Sequence, residues 1–225
     1  VVFDVQYISG GLGLGASFPW MLAPDTYFTA NGLGAQGGLT IRPVSSDLVS
    51  TYEAADVRRT FSILTGYTSN GVQETRPFFK KYLDLSKYGK SRTDWPINFI
   101  VTRYADILLM YAEVLNETNR TAQAYPFIQQ VRTRAKLPNL ATVKPNMSQV
   151  QMRQQIAHER FLEFALEGHR FDDIRRWGWL QNPTKLAWLK ARDNEFNSYT
   201  TGREYFPIPQ LEMDNNPGTK QNDSY

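Results

Sequence analysis

His158-Glu-Arg-Phe-Leu-Glu-Phe-Ala-Leu-Glu-Gly-His-Arg-Phe-Asp-Asp-Ile-Arg-Arg-Trp177 is the densest mixture of charged and aromatic residues in the 225-residue sequence. Read as a helix from Ser148, it places Ile156, Ala157, Phe161, Phe164, Ala165 and Gly168 along one buried face. Leu162 and Leu166 widen that face, so the helix is expected to pack on two sides. Ser148 and Gln151 have capping-box spacing, in which each side chain satisfies an orphan backbone donor. Gly168 is the expected stop, because glycine takes a positive φ without strain. A short helix from Arg170 to Trp177 should follow.

Glu159, Glu163 and Glu167 recur every fourth residue, with Arg160, Arg170, Asp172, Asp173, Arg175 and Arg176 close by. Two carboxylates flanking a cleft can work as acid and base. Carboxylates in a row on one helix do not face each other across a substrate. The expected use is ion pairing with arginines of the same hairpin, which would hold it shut. His158 and His169 would lie roughly 16 Å apart on a continuous helix. No cysteine and no third histidine exist to complete a zinc site, so neither a metal nor another cofactor is expected.

The run from Ala157 to Gly178 resembles the "ERxxELAFEGHRFxDLRRWG" signature of the SusD/RagB family, outer-membrane nutrient-binding lipoproteins of Bacteroidetes. Other segments carry the same resemblance. Asp56-Val-Arg-Arg59 is similar to the family's "DPRR", with Arg58 and Arg59 expected to bond carbonyls or carboxylates inside the fold. Phe79-Lys-Lys-Tyr-Leu-Asp84 resembles its "KYLD" strand. Arg103, Asp106, Glu113, Asn116, Arg132 and Arg134 match its "RYAEVLLMYAEALNE…VRxRAGL" hairpin. Residues 205–222 resemble its closing "PIPxxExxxNPxLxQNPGY".

Composition frames that reading. Forty-one per cent of the residues are hydrophobic, so the chain can build a core. Thirteen Phe, five Trp and twelve Tyr exceed what a plain core demands, and surplus aromatics line binding surfaces. Net charge is +3, with both signs interspersed and no long basic run, which argues against a nucleic-acid partner. No apolar run reaches the length of a membrane span. The opening Val1-Val-Phe-Asp-Val-Gln-Tyr7 alternates like a strand, and neither a signal sequence nor an acylatable cysteine precedes it. The chain therefore reads as a piece of something longer.

Along the chain, residues 1–97 are rich in loops and short strands. Gly10-Gly-Leu-Gly-Leu-Gly15 lacks the Lys-Ser/Thr of a phosphate-binding loop, and Pro19 and Pro24 leave no helix to follow it. Aromatics on loops are candidates for ligand contact. Trp20 is one, with two open readings: contact with ligand, or pinning of the loop to the core. Tyr27, Tyr67 and Trp95 join it, with packing as the competing reading. Val44 to Ala55 reads as a helix and Thr60 to Leu64 as a strand. From Tyr104 the pattern is helical. Tyr104, Ile107, Leu108, Tyr111, Ala112 and Leu115 form one stripe, and Ala124, Phe127, Ile128, Val131 and Ala135 form the next. Pro126 should sit in the first turn of the second helix. A short connection makes the pair antiparallel. The three expected parts are 1–97, a helical scaffold over 98–178 and a C-terminal extension over 179–225.

The expected fold is mainly α, a TPR-like helical hairpin scaffold with long loops and a few short strands, resembling the C-terminal half of a SusD-like protein. A lone hairpin cannot bury both its faces, which implies partner helices from a missing N-terminal half. The resemblance implies a non-catalytic glycan binder on the outer face of the outer membrane. It would be lipid-anchored through a region absent here and would serve a SusC-like TonB-dependent transporter. It also implies that Arg58, Arg59, Arg103, Glu113, Arg132, Arg134, Glu159, Arg160, Glu163, Glu167, Gly168, His169, Arg170, Asp173, Arg176 and Trp177 are scaffold residues. A peptide-binding relative of the RagB branch is the alternative. A glycosidase using two of Glu159, Glu163, Asp172 and Asp173 is the third reading.

Overall fold

The computed structural model describes residues 1–35, 37 and 44–225. The chain divides into two units, Val1–Gly168 and His169–Tyr225.

The first unit is built on three helices: α4 (Tyr104–Glu117), α5 (Thr121–Arg134) and α7 (Gln149–Glu163). Upstream of them, among the described residues, lie the short helices α1 (Asp25–Ala30), α2 (Ser46–Thr51) and α3 (Val57–Ser62). A single-turn helix, α6 (Leu140–Val143), joins α5 to α7. Among the described residues six short strands pair in three antiparallel ribbons: β1 (Phe3–Val5) with β6 (Phe99–Thr102), β2 (Ile63–Leu64) with β5 (Phe78–Phe79), and β3 (Tyr67–Ser69) with β4 (Val72–Glu74).

Leu108, Leu109, Ala112 and Leu115 of α4 are buried together with Ala124, Ile128 and Val131 of α5 and with Met152 and Ile156 of α7. The opposite side of α7 is also covered, because Leu162 packs with Leu48 and Tyr52 of the α2 region. The helix is thus buried on two sides, as its wide apolar face requires. Its start has both hydrogen bonds of the capping box formed by Ser148 and Gln151. The α4 stripe divides differently from the expectation. Tyr104, Ile107, Met110, Tyr111 and Val114 are exposed and form a second apolar face.

Four local expectations need correction. The strand expected over Thr60–Leu64 is mostly the helix α3, because Asp56 caps it by accepting the Arg58 amide at 2.9 Å. Of the strand expected over Phe79–Asp84 only Phe79 is extended, as the second residue of β5, and a turn follows. Pro126 lies in the second turn of α5 rather than the first. Helix α7 ends at Glu163, well before Gly168, and Leu166 already has a φ of 68°. The physical reason is tertiary. Lys81 donates to the Glu163 carbonyl at 2.9 Å, and Arg103 donates to it at 2.8 Å. Cations from elsewhere in the chain thus satisfy a helix-end carbonyl. His158 and His169 consequently do not share a helix.

The second unit contains α8 (His169–Arg176), α9 (Pro183–Lys190) and α10 (Gln210–Asn215), joined by turns. Its small core is Ile174, Leu180 and Leu189. Among the described residues no helix is long and apolar enough to cross a membrane.

Candidate functional site

The acidic row of the sequence is a buried ion-pair lattice. Glu159 and Glu163 are 0% and 2% exposed. Arg58 donates to Asp56 at 2.6 Å, to Glu159 at 3.1 Å and to Glu163 at 3.3 Å. Arg132 donates to Glu159 at 2.6 Å. Arg103 and Arg134 both pair with Glu163, and Arg103 and Lys81 both pair with Glu167. Arg160 turns the other way, to Asp106 at 2.7 Å, with its guanidinium 4.9 Å from the Phe164 ring.

Glu159, Glu163 and Glu167 are ion-paired, as expected, but among the described residues not within their own hairpin. Their partners are Arg58 of α3, Lys81, Arg103 after β6, and Arg132 and Arg134 of α5. Within α8, Arg175 pairs with Asp172 and Arg176 with Asp173. Arg59 departs from the expectation: among the described residues its side chain makes no hydrogen bond or ion pair.

The lattice makes stability pH-dependent. Burial pushes the Glu163 carboxyl up, but the charges of Arg103, Arg134 and Arg58 outweigh it and leave it below the ordinary carboxylate value. Burial lowers the imidazole of His158. A depressed carboxylate stabilises the fold above its unfolded pKa and loses that contribution as pH falls through the folded value. A depressed histidine acts in the same direction, since the unfolded state takes up the proton first. We expect the urea midpoint to fall steadily as pH drops from 7 toward 4. A midpoint independent of pH over that interval would contradict the assignment.

The aromatic candidates lie elsewhere in the first unit. Trp20 sits on the tight turn Pro19–Met21, which Pro19 pre-sets. Its ring is half-buried, and the Arg92 guanidinium lies over it at 5.3 Å. Among the described residues it makes no ring–ring contact. Tyr27, on α1, and Tyr67, on β3, come together edge to face at 5.3 Å. The Thr26 and Tyr67 hydroxyls are hydrogen-bonded at 2.6 Å. Phe78 completes this group, 4.9 Å from Tyr27. Trp95 is not an exposed candidate. It is 0% exposed, packed against Tyr88 at 5.2 Å and Phe28 at 6.0 Å. Its backbone is bridged to Ala16 by hydrogen bonds of 2.8 and 3.3 Å. The packing reading holds at that position.

The glycine-rich loop is anchored by a carboxylate. The Gly10 and Gly11 amides donate to Asp94 Oδ1 at 2.9 and 3.0 Å. Gly11 has a φ of 76°, and a Cβ at Gly15 would meet the Asp94 backbone at 2.4 Å. Glycine is required at these positions by backbone shape and close approach.

A cavity of about 660 Å³ borders Tyr27, Phe61, Lys80, Tyr82 and Asn98. Phe61, 64% exposed, also borders an adjoining hollow of about 430 Å³ with Asn98 and Tyr82. The strand expected over Thr60–Leu64 gave no reason to single out Phe61. The usable signal was an aromatic on the turn of helix that Asp56 caps. Flat rings beside a polar hollow can stack on a sugar face while amide and hydroxyl groups bond its edges.

Comparison with known proteins agrees with this architecture. Residues 46–225 match the family model described as the SusD family. The chain is 30% identical to SusD-like protein P25 of Formosa agariphila, covering 97% of this chain and 46% of that protein. It is also 30% identical to SusD-like protein P2 of the same organism, covering 80% and 41% respectively. Among solved structures, surface glycan-binding protein A from Bacteroides fluxus superposes with a TM-score of 0.74 at 26% identity, covering 100% of this chain and 50% of that one. The protein of the same name from Bacteroides uniformis gives 0.77 at 25% identity, covering 98% and 48%. The chain spans about half the length of the curated relatives it matches. With four-fifths of its residues inside the family match and the family's helical scaffold in place, the chain belongs to the SusD family.

Proposed function

We propose that this chain is the glycan-capturing part of a non-catalytic cell-surface protein that feeds oligosaccharides to a SusC-like TonB-dependent transporter. The observation that carries the reading is the set of aromatics on short helices and turns beside the helical scaffold: Trp20 beneath Arg92, and Tyr27 and Phe61 beside a polar hollow. Relatives named as surface glycan-binding proteins share the fold. The family resemblance adds a location on the outer face of the outer membrane and a lipid anchor in a region outside this chain.

The buried carboxylates support a role without catalysis. Hydrolysis of a glycoside needs two carboxyl groups that reach a sugar and a water molecule. Glu159 and Glu163 are enclosed and neutralised by arginines, and Asp173 is enclosed beside Arg176. The exposed face of α4 supports a further part of the proposal. Tyr104, Ile107, Tyr111 and Val114 recur at helical spacing, as a surface that packs on another helix does. In the whole protein this face is covered by helices of the other half.

The test is calorimetry of the full-length protein against a panel of neutral polysaccharides and peptides, with a reducing-end assay alongside. We expect binding without release of sugar. Removing one stacking ring by Trp20→Ala should weaken binding by about tenfold or more, in line with the loss of a central aromatic anchor. Binding of peptides alone would transfer the function to peptide capture, and steady release of sugar would overturn the reading.

A further inference from the structure

A further hollow of about 500 Å³ lies in the first unit and, among the described residues, shares no lining residue with the two that Phe61 borders. Gln151, Gln154, Gln155 and His158 line it from α7. Steps of three and four residues from Gln151 put them on one face of that helix. Pro145 and Met147 line it from the segment that leads into α7. Both walls are braced. Gln151 Oε1 accepts the Ser148 amide at 2.8 Å as part of the capping box. The Tyr125 hydroxyl of α5 donates to the Lys144 carbonyl at 2.8 Å and accepts the Met147 amide at 2.9 Å. Between those two residues Asn146 takes a φ of 53°, which turns the chain there. Gln155 is buried and held at both ends, accepting from Lys144 Nζ at 2.7 Å and donating to Glu159 at 3.0 Å. A binding wall on a braced helix is positioned more precisely than one on a loop.

The polar groups left open there are uncharged. Among the described residues the side chain of Gln154, the imidazole of His158 and Gln151 Nε2 make no hydrogen bond. His158 is half-buried. Burial holds its pKa below the ordinary histidine value, with Glu159 and Glu53 pulling it up and Lys144 and Arg58 pulling it down. At pH 7 the ring is therefore neutral, with one nitrogen donating and the other accepting. A side-chain amide also both donates and accepts, and so does a sugar hydroxyl. A carboxylate only accepts, and the cation on the border, Lys144, is already held by Gln155.

We infer that the α7 hollow is a second carbohydrate site, which takes a neutral sugar unit by pairing its hydroxyls with Gln151, Gln154 and His158 while Pro145 and Met147 cover an apolar C–H face. A few placed polar groups beside an apolar wall are what fix a small ligand in a pocket. A bound peptide would instead use a sheet edge for its backbone or a wide apolar groove for its side chains, and this hollow is lined by a polar helix face and a turn. The site uses none of Trp20, Tyr27 or Phe61. It goes beyond capture by those aromatics and stands independently of it.

The experiment labels the full-length protein with diethyl pyrocarbonate, which acylates a neutral imidazole, and follows His158 by mass spectrometry of its own peptide. Laminarihexaose, cellohexaose and maltohexaose are separate probes, and a hexapeptide of glycine and serine is the control. We expect one of the hexaoses, supplied at roughly ten times its Kd, to slow labelling of His158 about tenfold. The same protection should persist in Trp20→Ala. Gln154→Ala, on an exposed position where alanine favours the helix, should raise the Kd for protection about fivefold, the usual worth of one neutral hydrogen bond. A His158 that is not labelled without sugar, or that no hexaose protects, overturns the proposal. Protection that vanishes with Trp20→Ala, or that ignores Gln154→Ala, overturns it too, because the sugar would then be acting from elsewhere. Protection by the peptide in place of the sugars overturns it in favour of peptide binding. Failure of capture by the loop aromatics would show differently, as Trp20→Ala leaving total sugar binding unchanged while His158 is still protected.

Discussion

Replacing Glu163 by alanine in the full-length protein lowers its unfolding free energy by about 3–5 kcal/mol, the usual cost of leaving a buried charge without its partner. Three arginines converge on this carboxylate: Arg58 at 3.3 Å, together with Arg103 and Arg134. Arg58 retains Asp56 and Glu159, and Arg103 retains Glu167, so the loss falls on charges that stay buried with fewer counter-ions. Glu163→Gln, which keeps the shape and one acceptor, should recover only a small part. Urea unfolding followed by circular dichroism measures both. A loss below about 1 kcal/mol, the range of surface pairs, would show that the lattice is solvated and contributes little.

Replacing Trp95 by alanine has a comparable cost, about 3–5 kcal/mol, for a different reason. The ring is wholly enclosed by Phe28 and Tyr88, and its removal leaves a void that the edge-to-face packing cannot close without losing contacts. Glycan affinity of whatever protein remains folded should be nearly unchanged, in contrast to Trp20→Ala. Trp95→Phe should recover much of the stability by filling most of the space. A Trp95→Ala protein that is fully stable and has lost glycan binding would place the ring in the binding surface and overturn the core assignment.

Helices α4, α5 and α7 were legible in the sequence because their apolar spacing is long and regular, although only Leu108, Ala112 and Leu115 of the expected α4 stripe are buried. The capping box at Ser148 was legible because it is a local device. The lattice was half legible. That Glu159, Glu163 and Glu167 would be ion-paired followed from their spacing. Which arginines answer them did not, because Arg58 is 105 residues from Glu163 in sequence and Arg103 is 60. The early end of α7 was hidden for the same reason, since its cap is Lys81 and Arg103 rather than a neighbouring glycine. Residues 57–62 misled because an alternating-looking segment was stronger on paper than one capping aspartate. Trp20 and Trp95 look alike in sequence, both aromatic and beside prolines. Only tertiary packing separates a half-exposed ring from an enclosed one.

The hold of Asp94 on the amides of Gly10 and Gly11 decides what that loop can accept. A row of glycine amides is a natural cradle for phosphate. Here the cradle is filled by a resident competitor tied to the same backbone. Tethering gives that carboxylate an effective concentration in the millimolar range or above. Any dissolved anion would have to outcompete it at every encounter, so the glycine run that most suggests a nucleotide in the sequence is self-inhibited for that purpose.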